Sequence, residues 1–89
     1  MSTVIRIVER ADGSLGPEAG TYLLSGDHDA AGGRGSFFFT TEPHDAKRFA
    51  DNGEAFEFWR RQSTTRPRRP DGKPNRPMTA YTVSIEPAP

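Results

Sequence analysis

The fold is decided by residues 36–62, SFFFTTEPHDAKRFADNGEAFEFWRRQ. This stretch contains all six phenylalanines and the only tryptophan of the 89-residue chain. Only 33% of the residues are hydrophobic and the mean hydropathy is −0.76. These rings are therefore most of the material available for an apolar core, and the other apolar segments must pack against them.

The first half of the stretch predicts a strand followed by a short helix. Residues 36–40 are aromatic residues flanked by Ser and Thr, a composition typical of β-strands. Thr41 is a suitable N-cap for a following helix. Ala46, Phe49 and Ala50 then recur at the spacing of a single helical face, which indicates that this helix packs on the strand.

The second half predicts another helix that begins at Asp51. Asp51 and Glu54 have the spacing of a capping box, with Asp in place of Ser or Thr. The helix is expected to end between residues 62 and 65, because Arg66 precedes a proline and is disfavoured in helical conformation. The residues predicted to face the core are Ala55, Phe56 and Trp59.

Outside this stretch, three further strands are predicted from β-branched and aromatic residues, at 3–9, 21–25 and 78–86. The sequence thus predicts an α+β fold in the order β-β-β-α-α-β. A four-stranded antiparallel sheet would carry the short helical pair on one face, with the last strand beside the first. The predicted core consists of Ile5, Ile7, Tyr22, Leu24, Phe37, Phe39, Phe49, Phe56, Trp59, Tyr81, Val83 and Ile85.

The chain length predicts one domain, residues 1–89, with a frayed tail at 87–89. Residues 63–77 contain four prolines and predict an extended, polyproline-like crossover rich in Pro and Arg. No cysteine is present, which excludes disulfides and thiolate sites. A signal peptide or membrane-spanning segment is not expected either, and the cytoplasm is the expected compartment.

Charge is distributed unevenly along the chain. Between Arg60 and Pro77 there are seven basic residues and one acidic residue, a net charge of +6, which leaves −6 on the rest. Such a segment is typical of an interaction site, although it can equally dock on the protein's own acidic surface, at Glu54, Glu57 and the acidic ends of the strands. The candidate binding residues are Arg60, Arg61, Arg66, Arg68, Arg69, Lys73 and Arg76.

A second candidate surface follows from strand alternation. If the helices cover one face of the sheet, then Val4, Val8, Leu23 and Phe38 lie on the other face. Four apolar side chains on an open face indicate a contact with a protein partner or a homodimer. The alternatives are that these residues are scattered singly or that the proline-rich crossover covers them.

Three patterns with possible chemistry do not predict a catalytic, metal or cofactor site. Asp27-His28-Asp29 offers one His with carboxylates, which fits no closed zinc site. The glycines at 32–35 lead into a strand, whereas a phosphate-binding loop leads into a helix. Ser25 lies near His28 but lacks a nucleophile elbow. We therefore expect no catalytic residue, no metal and no cofactor, and a protein that is not an enzyme.

The residues TTEPHDAKRFADNGEAFEFWRR also carry a resemblance. A strand that ends in Thr-Thr, followed by Ala-Lys-Arg-Phe and by Gly-Glu-Ala with an aromatic pair, is similar to small uncharacterised proteins encoded in bacterial genomes and their prophages. The resemblance covers residues 20–62 and implies an α+β fold. It implies no activity, cofactor or binding residue.

These observations predict a small, non-catalytic interaction module that contacts a protein partner or a second copy of itself. The contact would use the open sheet face and the Arg/Pro-rich crossover. The alternative is a nucleic-acid-binding accessory protein that uses residues 60–76, because arginines along an extended backbone suit contacts with phosphates. A neutral chain with an acidic remainder, and with no aromatic residue in the crossover, favours the protein partner.

Overall fold

A computed structural model describes residues 2–89. Four strands and one regular helix account for the ordered framework, and a single distorted helical turn lies between the second and third strands. The elements are β1 (Thr3–Arg10), β2 (Tyr22–Asp27), α1 (Ala30–Gly33), β3 (Ser36–Thr40), α2 (Asn52–Trp59) and β4 (Tyr81–Pro87), with 3-10 turns at Pro43–Asp45 and Pro77–Ala80.

The four strands form one antiparallel sheet in the order β3-β2-β1-β4. This confirms the predicted fold class and places the last strand beside the first. The longest pairing joins β1 to β4, where Ile5 lies opposite Ile85 and Ile7 lies opposite Val83. These four residues all face the core, as the alternation along β4 predicts.

The first predicted helix does not form. A 3-10 turn ends at Asp45, and Ala46 already has extended backbone angles. Residues 46–49 then run between β2 and β1, because the Lys47 N–H donates to the Leu23 carbonyl at 2.9 Å and Phe49 exchanges two backbone hydrogen bonds with Thr3. These hydrogen bonds to β2 and β1 favour an extended conformation over the helix that the spacing of Ala46, Phe49 and Ala50 predicts. They satisfy backbone groups of β1 and β2 that do not pair with each other where the two strands diverge.

The sheet is strongly curved. In a flat sheet the edge strands β3 and β4 would lie about 14 Å apart, three times the spacing of neighbouring strands. Instead the ring of Phe39 on β3 meets the ring of Tyr81 on β4, with centroids 5.4 Å apart. The core face of the sheet is therefore concave.

Helix α2 begins as predicted but ends early. The Glu54 N–H donates to Asp51 Oδ1 at 2.8 Å, which is the predicted N-cap, and the helix ends at Trp59 instead of residues 62–65. Its buried face also differs from the prediction, because Phe58 is buried whereas Phe56 is 44% exposed. Ala55, Phe58 and Trp59 have the i, i+3, i+4 spacing of one helical face, and Phe56 lies off that face.

The core forms between the concave sheet face and α2. On β2 the alternation is as predicted but the face is reversed, so Leu23 is fully buried and Leu24 is 42% exposed. Tyr22 pairs with Arg6 and lies opposite to the core face. The buried residues that form the core cluster are Ile5, Ile7, Leu23, Phe49, Ala55, Phe58 and Met78, with Phe37, Phe39, Trp59, Tyr81, Val83 and Ile85 packed against them.

The C-terminal tail is bonded to the body of the protein. The Ala88 N–H donates to the Ser2 carbonyl at 2.9 Å, and Arg48 Nη2 donates to the Pro89 carbonyl at 3.3 Å. The first of these bonds continues the β1–β4 pairing by one residue, so the tail differs from the frayed end that its prolines predict.

Candidate interaction surfaces

The proline-rich crossover folds back on itself as a hairpin. The Gly72 N–H donates to the Arg69 carbonyl at 2.9 Å and closes a tight turn with Pro70 and Asp71 at its corner. Gly72 has a φ of 84°, a conformation that glycine adopts without strain. The extended conformation predicted for residues 63–77 is thus interrupted by a turn, and we call residues 63–76 the basic hairpin.

The two arms of the basic hairpin are hydrogen bonded to each other. The Arg69 N–H donates to the Lys73 carbonyl at 2.8 Å, and the Asn75 N–H donates to the Pro67 carbonyl at 2.9 Å. The prolines do not prevent this pairing, because the bonded N–H groups belong to other residues. The hairpin is consequently an ordered element and not a loose tether.

A single carboxylate fixes the first arm of the hairpin to the body. Asp29 accepts hydrogen bonds from Ser63 Oγ at 2.9 Å, from the backbone N–H and side-chain Oγ1 of Thr64 at 2.6 and 2.8 Å, and from the Thr65 N–H at 3.1 Å. These donors favour the ionised carboxylate and lower the pKa of Asp29 far below its ordinary value. We call this arrangement the Asp29 clasp.

A single amide fixes the second arm. Asn75 Nδ2 donates to the Gly33 carbonyl at 2.6 Å and to the Arg66 carbonyl at 2.8 Å, while the Asn75 carbonyl accepts from the Ser63 N–H at 2.8 Å. Asn75 therefore connects the turn α1 to both arms of the hairpin. No sequence pattern identified this role, because the partners are 9 to 42 residues away.

The hairpin brings most of the predicted basic residues to one side of the protein. Arg66, Arg68 and Arg69 line a small cleft of about 160 Å³, and Arg34 from the loop before β3 joins them there. Arg60, Arg61 and Arg76 line a neighbouring cleft of about 350 Å³. We call the eight residues Arg34, Arg60, Arg61, Arg66, Arg68, Arg69, Lys73 and Arg76 the basic surface.

Few acidic groups neutralise this surface. Within residues 2–89, the ion pairs of the basic surface are Arg69 with Asp71 at 3.1 Å and Arg60 with Glu57 at 3.7 Å. The Arg68 side chain is used locally, because Nη1 donates to the Gly72 carbonyl at 3.0 Å. The crossover does dock on one acidic residue of the body, Asp29, but through Ser63, Thr64 and Thr65 and not through its basic side chains. The pair of Arg60 with Glu57 is local to the end of α2.

Arg34 is the one member of the basic surface that sequence reasoning missed. It lies among the glycines at 32–35, which precede a strand and therefore lack the context of a phosphate-binding loop. Its position in the cleft depends on the bond from Asn75 to the adjacent residue Gly33, a contact between distant segments. The sequence contains no local signal for that contact.

The residues Asp27-His28-Asp29 have structural roles. His28 is buried, its Nε2–H donates to the Phe58 carbonyl at 2.8 Å, and its ring packs edge-on against Phe37 and Phe58. Burial lowers the pKa of His28 below its ordinary value of 6.5. Asp27 accepts a hydrogen bond from the Asp29 N–H at 2.9 Å. In the part of the chain that the structure describes, no three His, Cys, Asp or Glu side chains are grouped as metal ligands.

The structure divides the four residues predicted on the open sheet face. Phe38 is 60% exposed and Val8 is 39% exposed, whereas Val4 and Leu23 are buried. Leu23 belongs to the core face, which corrects its predicted position. Val4 lies on β1, an inner strand of the sheet, with β4 on one side and residues 46–49 on the other. Its partner on β4 is Glu86, which forms an ion pair with Arg6 at 2.8 Å. The exposed pair, Phe38 on β3 and Val8 on β1, is separated by β2.

Comparison of the chain with protein-family models, with curated proteins and with solved structures found no match. The resemblance to small bacterial and prophage-encoded proteins stays a prediction. Between residues 2 and 89, the structure contains no helix with the length and apolar character needed to cross a membrane.

Proposed function

We propose that the protein is a small, cytoplasmic, non-catalytic interaction module, and that its basic surface contacts an acidic surface of a partner protein. One observation carries this proposal: the basic hairpin is held in a defined position while most of its cations lack an acidic partner within residues 2–89. A charged surface that is ordered but not neutralised suits an external anionic partner.

The order of the hairpin supports binding in a second way. Residues that are already fixed lose less conformational entropy when a partner binds, which leaves more of the interaction energy as affinity. Arginine also offers a planar fork of donors that matches a carboxylate. The cleft formed by Arg34, Arg66, Arg68 and Arg69 measures about 160 Å³, and ligand pockets are usually larger, at about 300–1,000 Å³. It therefore suits one carboxylate group of a larger partner.

A nucleic-acid-binding role is the second candidate, and the position of Arg34 favours it. Four arginines from two separate segments line one cleft, and arginine is a frequent partner of phosphate groups. Two observations favour the protein partner over this role. The chain outside residues 60–77 carries a net charge of −6, which repels an extended polyanion, and no aromatic residue lines either basic cleft for base stacking.

Fluorescence anisotropy with labelled anionic probes tests the proposal. The probes are an oligoglutamate peptide and single-stranded DNA and RNA oligonucleotides with the same number of charges. We expect the native protein to bind the peptide at about 50 mM salt and to bind the oligonucleotides more weakly. Substitution of Arg34 and Arg66 by serine should weaken peptide binding by about tenfold or more, the loss expected when charge-assisted hydrogen bonds are removed.

Arg48→Ser is the matched control, because Arg48 is also exposed but lies outside the basic surface. Its binding should equal that of the native protein. If neither probe binds at low salt, or if Arg48→Ser loses as much affinity as the Arg34 and Arg66 variant, the proposal is wrong. Tighter binding of the oligonucleotides, with a steep loss of affinity between about 50 and 200 mM salt, would support the second candidate instead.

A further inference from the structure

The larger of the two basic clefts lies at the C-terminal end of α2. It measures about 350 Å³ and is lined by two segments of the chain, Glu57, Arg60, Arg61 and Gln62 on one side and Arg76 on the other. All five side chains are polar or charged, and most of the wall is polar. The volume falls within the range of about 300–1,000 Å³ that is usual for ligand sites. We call this space the Arg76 cleft.

The two segments that form the Arg76 cleft are bonded to each other. The N–H of Ser63, which follows Gln62, donates at 2.8 Å to the carbonyl of Asn75, which precedes Arg76. The Arg76 carbonyl in turn accepts from the N–H and Oγ1 of Thr79 at 3.0 and 2.6 Å. The backbone is thus fixed on both sides of Arg76, which holds this residue beside the end of α2.

Aromatic rings restrict the other two arginines of the cleft. Arg60 Cζ lies 5.6 Å from the centroid of the Phe56 ring, and Arg61 Cζ lies 5.1 Å from the centroid of the Phe58 ring. Such contacts attract a guanidinium group to the ring without neutralising its charge. Side chains that are already restricted lose less entropy when an anion binds.

The Arg76 cleft has an excess of positive charge. Three arginines and one carboxylate line it, a net charge of +2, and the carboxylate of Glu57 pairs with Arg60 at 3.7 Å. Within residues 2–89, Arg61 and Arg76 form no ion pair. The C-terminal end of a helix contributes at most about half a negative charge, so an anion meets a net charge of about +1.5 to +2.

This charge matches a phosphate monoester better than the other anions of proteins and nucleic acids. A phosphate monoester carries a charge of about −1.5 to −2 at about pH 7, whereas a carboxylate or a backbone phosphodiester carries a single negative charge. Arginine also presents a planar fork of N–H donors that matches phosphate oxygens, and the three oxygens of a monoester can accept from more than one fork.

From these features we infer that the Arg76 cleft binds a phosphorylated side chain of the partner protein. The inference rests on the proposed function, because the partner that contacts the basic surface also supplies the phosphate. Recognition of phosphorylated motifs by clusters of arginine is a common mode of peptide binding. The cleft is larger than a phosphate group, which leaves room for the side chain that carries it.

Fluorescence anisotropy with two oligoglutamate peptides of equal total charge tests the inference. One peptide has phosphoserine followed by serine at its centre, and the other has two glutamates at the same positions. The charges are matched at about pH 7.5, well above the second pKa of the phosphate, which is about 6. We expect the native protein to bind the phosphopeptide about tenfold more tightly, the effect of about one additional charge-assisted hydrogen bond.

Phosphorus NMR gives an independent readout, because the chemical shift of the phosphopeptide reports the protonation of the phosphate itself. The charged groups that line the cleft are Arg60, Arg61, Arg76 and Glu57. Their net positive charge should lower the second pKa of the bound phosphate from about 6 by up to about one pH unit. That difference corresponds to about tenfold tighter binding of the dianion than of the monoanion.

Protein variants locate the phosphate. Substitution of Arg61 and Arg76 by serine should make the affinities for the two peptides nearly equal. Lysine at the same two positions keeps the charges but loses the planar fork, and it should retain only part of the preference. Substitution of Arg34 and Arg66 by serine should weaken the binding of both peptides and retain their ratio, since these residues line the other cleft. Circular dichroism establishes that each variant is folded.

The inference and the proposed function can fail separately. The inference is wrong, and the proposed function stands, if both peptides bind equally tightly. The same holds if the pKa of the bound phosphate is unchanged, or if folded variants without Arg61 and Arg76 keep the preference. If neither peptide binds at low salt, the proposed function is wrong as well.

Two further probes distinguish the source of the phosphate. Inorganic phosphate and a DNA oligonucleotide with a terminal phosphate should both bind more weakly than the phosphopeptide. Inorganic phosphate that binds as tightly would assign the cleft to a small phosphate compound. An oligonucleotide that binds as tightly, and that loses affinity when its terminal phosphate is removed, would assign the cleft to a nucleic-acid end. Either result would overturn the inference of a phosphorylated protein partner.

Discussion

The core and the basic hairpin are held in place by different forces. Phe58 packs in the core against the rings of His28 and Phe49, at centroid distances of 4.7 and 5.3 Å. Every residue from Thr64 to Pro74 is exposed, and the hairpin depends on the Asp29 clasp and on Asn75. The hairpin can thus open without exposing a large apolar surface, whereas the core cannot, and the two regions should respond differently to mutation.

Removal of Phe58 should have the largest effect, because it acts on the core. We expect Phe58→Ala to lower the free energy of unfolding by about 3–5 kcal/mol, the usual cost of replacing a buried phenylalanine. Urea denaturation followed by circular dichroism measures this change. Phe56→Ala is a matched control on the same helix, and because Phe56 is 44% exposed its effect should be much smaller. Similar losses for the two variants would contradict the assigned core face of α2.

Acidic pH should have the next largest effect, and it also acts through the core. Burial lowers the pKa of His28 in the folded protein, so the unfolded chain binds the proton first as the pH falls below about 6.5. Arg61 lowers this pKa further, while the Phe58 carbonyl and the carboxylates of Asp27 and Asp29 oppose the shift. The His28 contribution to stability is therefore complete above about pH 6.5 and declines below it.

His28→Gln provides the comparison for this pH effect, since an amide can still donate to the Phe58 carbonyl but does not titrate. Thermal unfolding between about pH 7 and pH 5, a range that spans the ordinary pKa of His, should show a smaller fall in Tm for the variant than for the native protein. His44 is exposed and is present in both proteins. Parallel pH profiles for the two proteins would rule out His28 as the titrating group.

Loss of the Asp29 clasp should have the smallest effect on overall stability and a large local effect. Asp29→Asn removes the negative charge and with it the charge-assisted character of four hydrogen bonds. Hydrogen exchange measured by NMR should accelerate severalfold at the amides of Thr64 and Thr65. Exchange at Ile5 and Ile7 should remain close to that of the native protein. Equal acceleration at both places would show that the hairpin and the core open together.

Much of the framework follows from the sequence, because strand alternation and helix capping are local signals. The β3 bounds, the Asp51 N-cap and the position of β4 beside β1 were all predicted. The face of a strand was harder to predict. Leu23 and Leu24 are equally apolar, and the choice between them is made by the pairing of β1 with β2, a long-range contact.

Two features that were predicted wrongly, the buried face of α2 and the extended form of the crossover, do have local signals in the sequence. Ala55, Phe58 and Trp59 match a single helical face better than a set that includes Phe56. Pro70-Asp71-Gly72 is a known turn signature, since proline fits the corner of the turn and glycine adopts the positive φ that follows it. The turn in the basic hairpin was therefore predictable, while its attachment to Asp29 and Asn75 was not.

The Pro70-Asp71-Gly72 turn has a consequence for protein engineering. The turn lies at the exposed tip of the hairpin, beyond the last hydrogen bond between the two arms, and it carries none of the contacts that hold the arms to the body. Extra residues inserted there should add little closure entropy, about 0.6 kcal/mol for each doubling of loop length. The tip is thus a natural insertion point for an epitope or a fluorophore, and the four strands need not change to accept it.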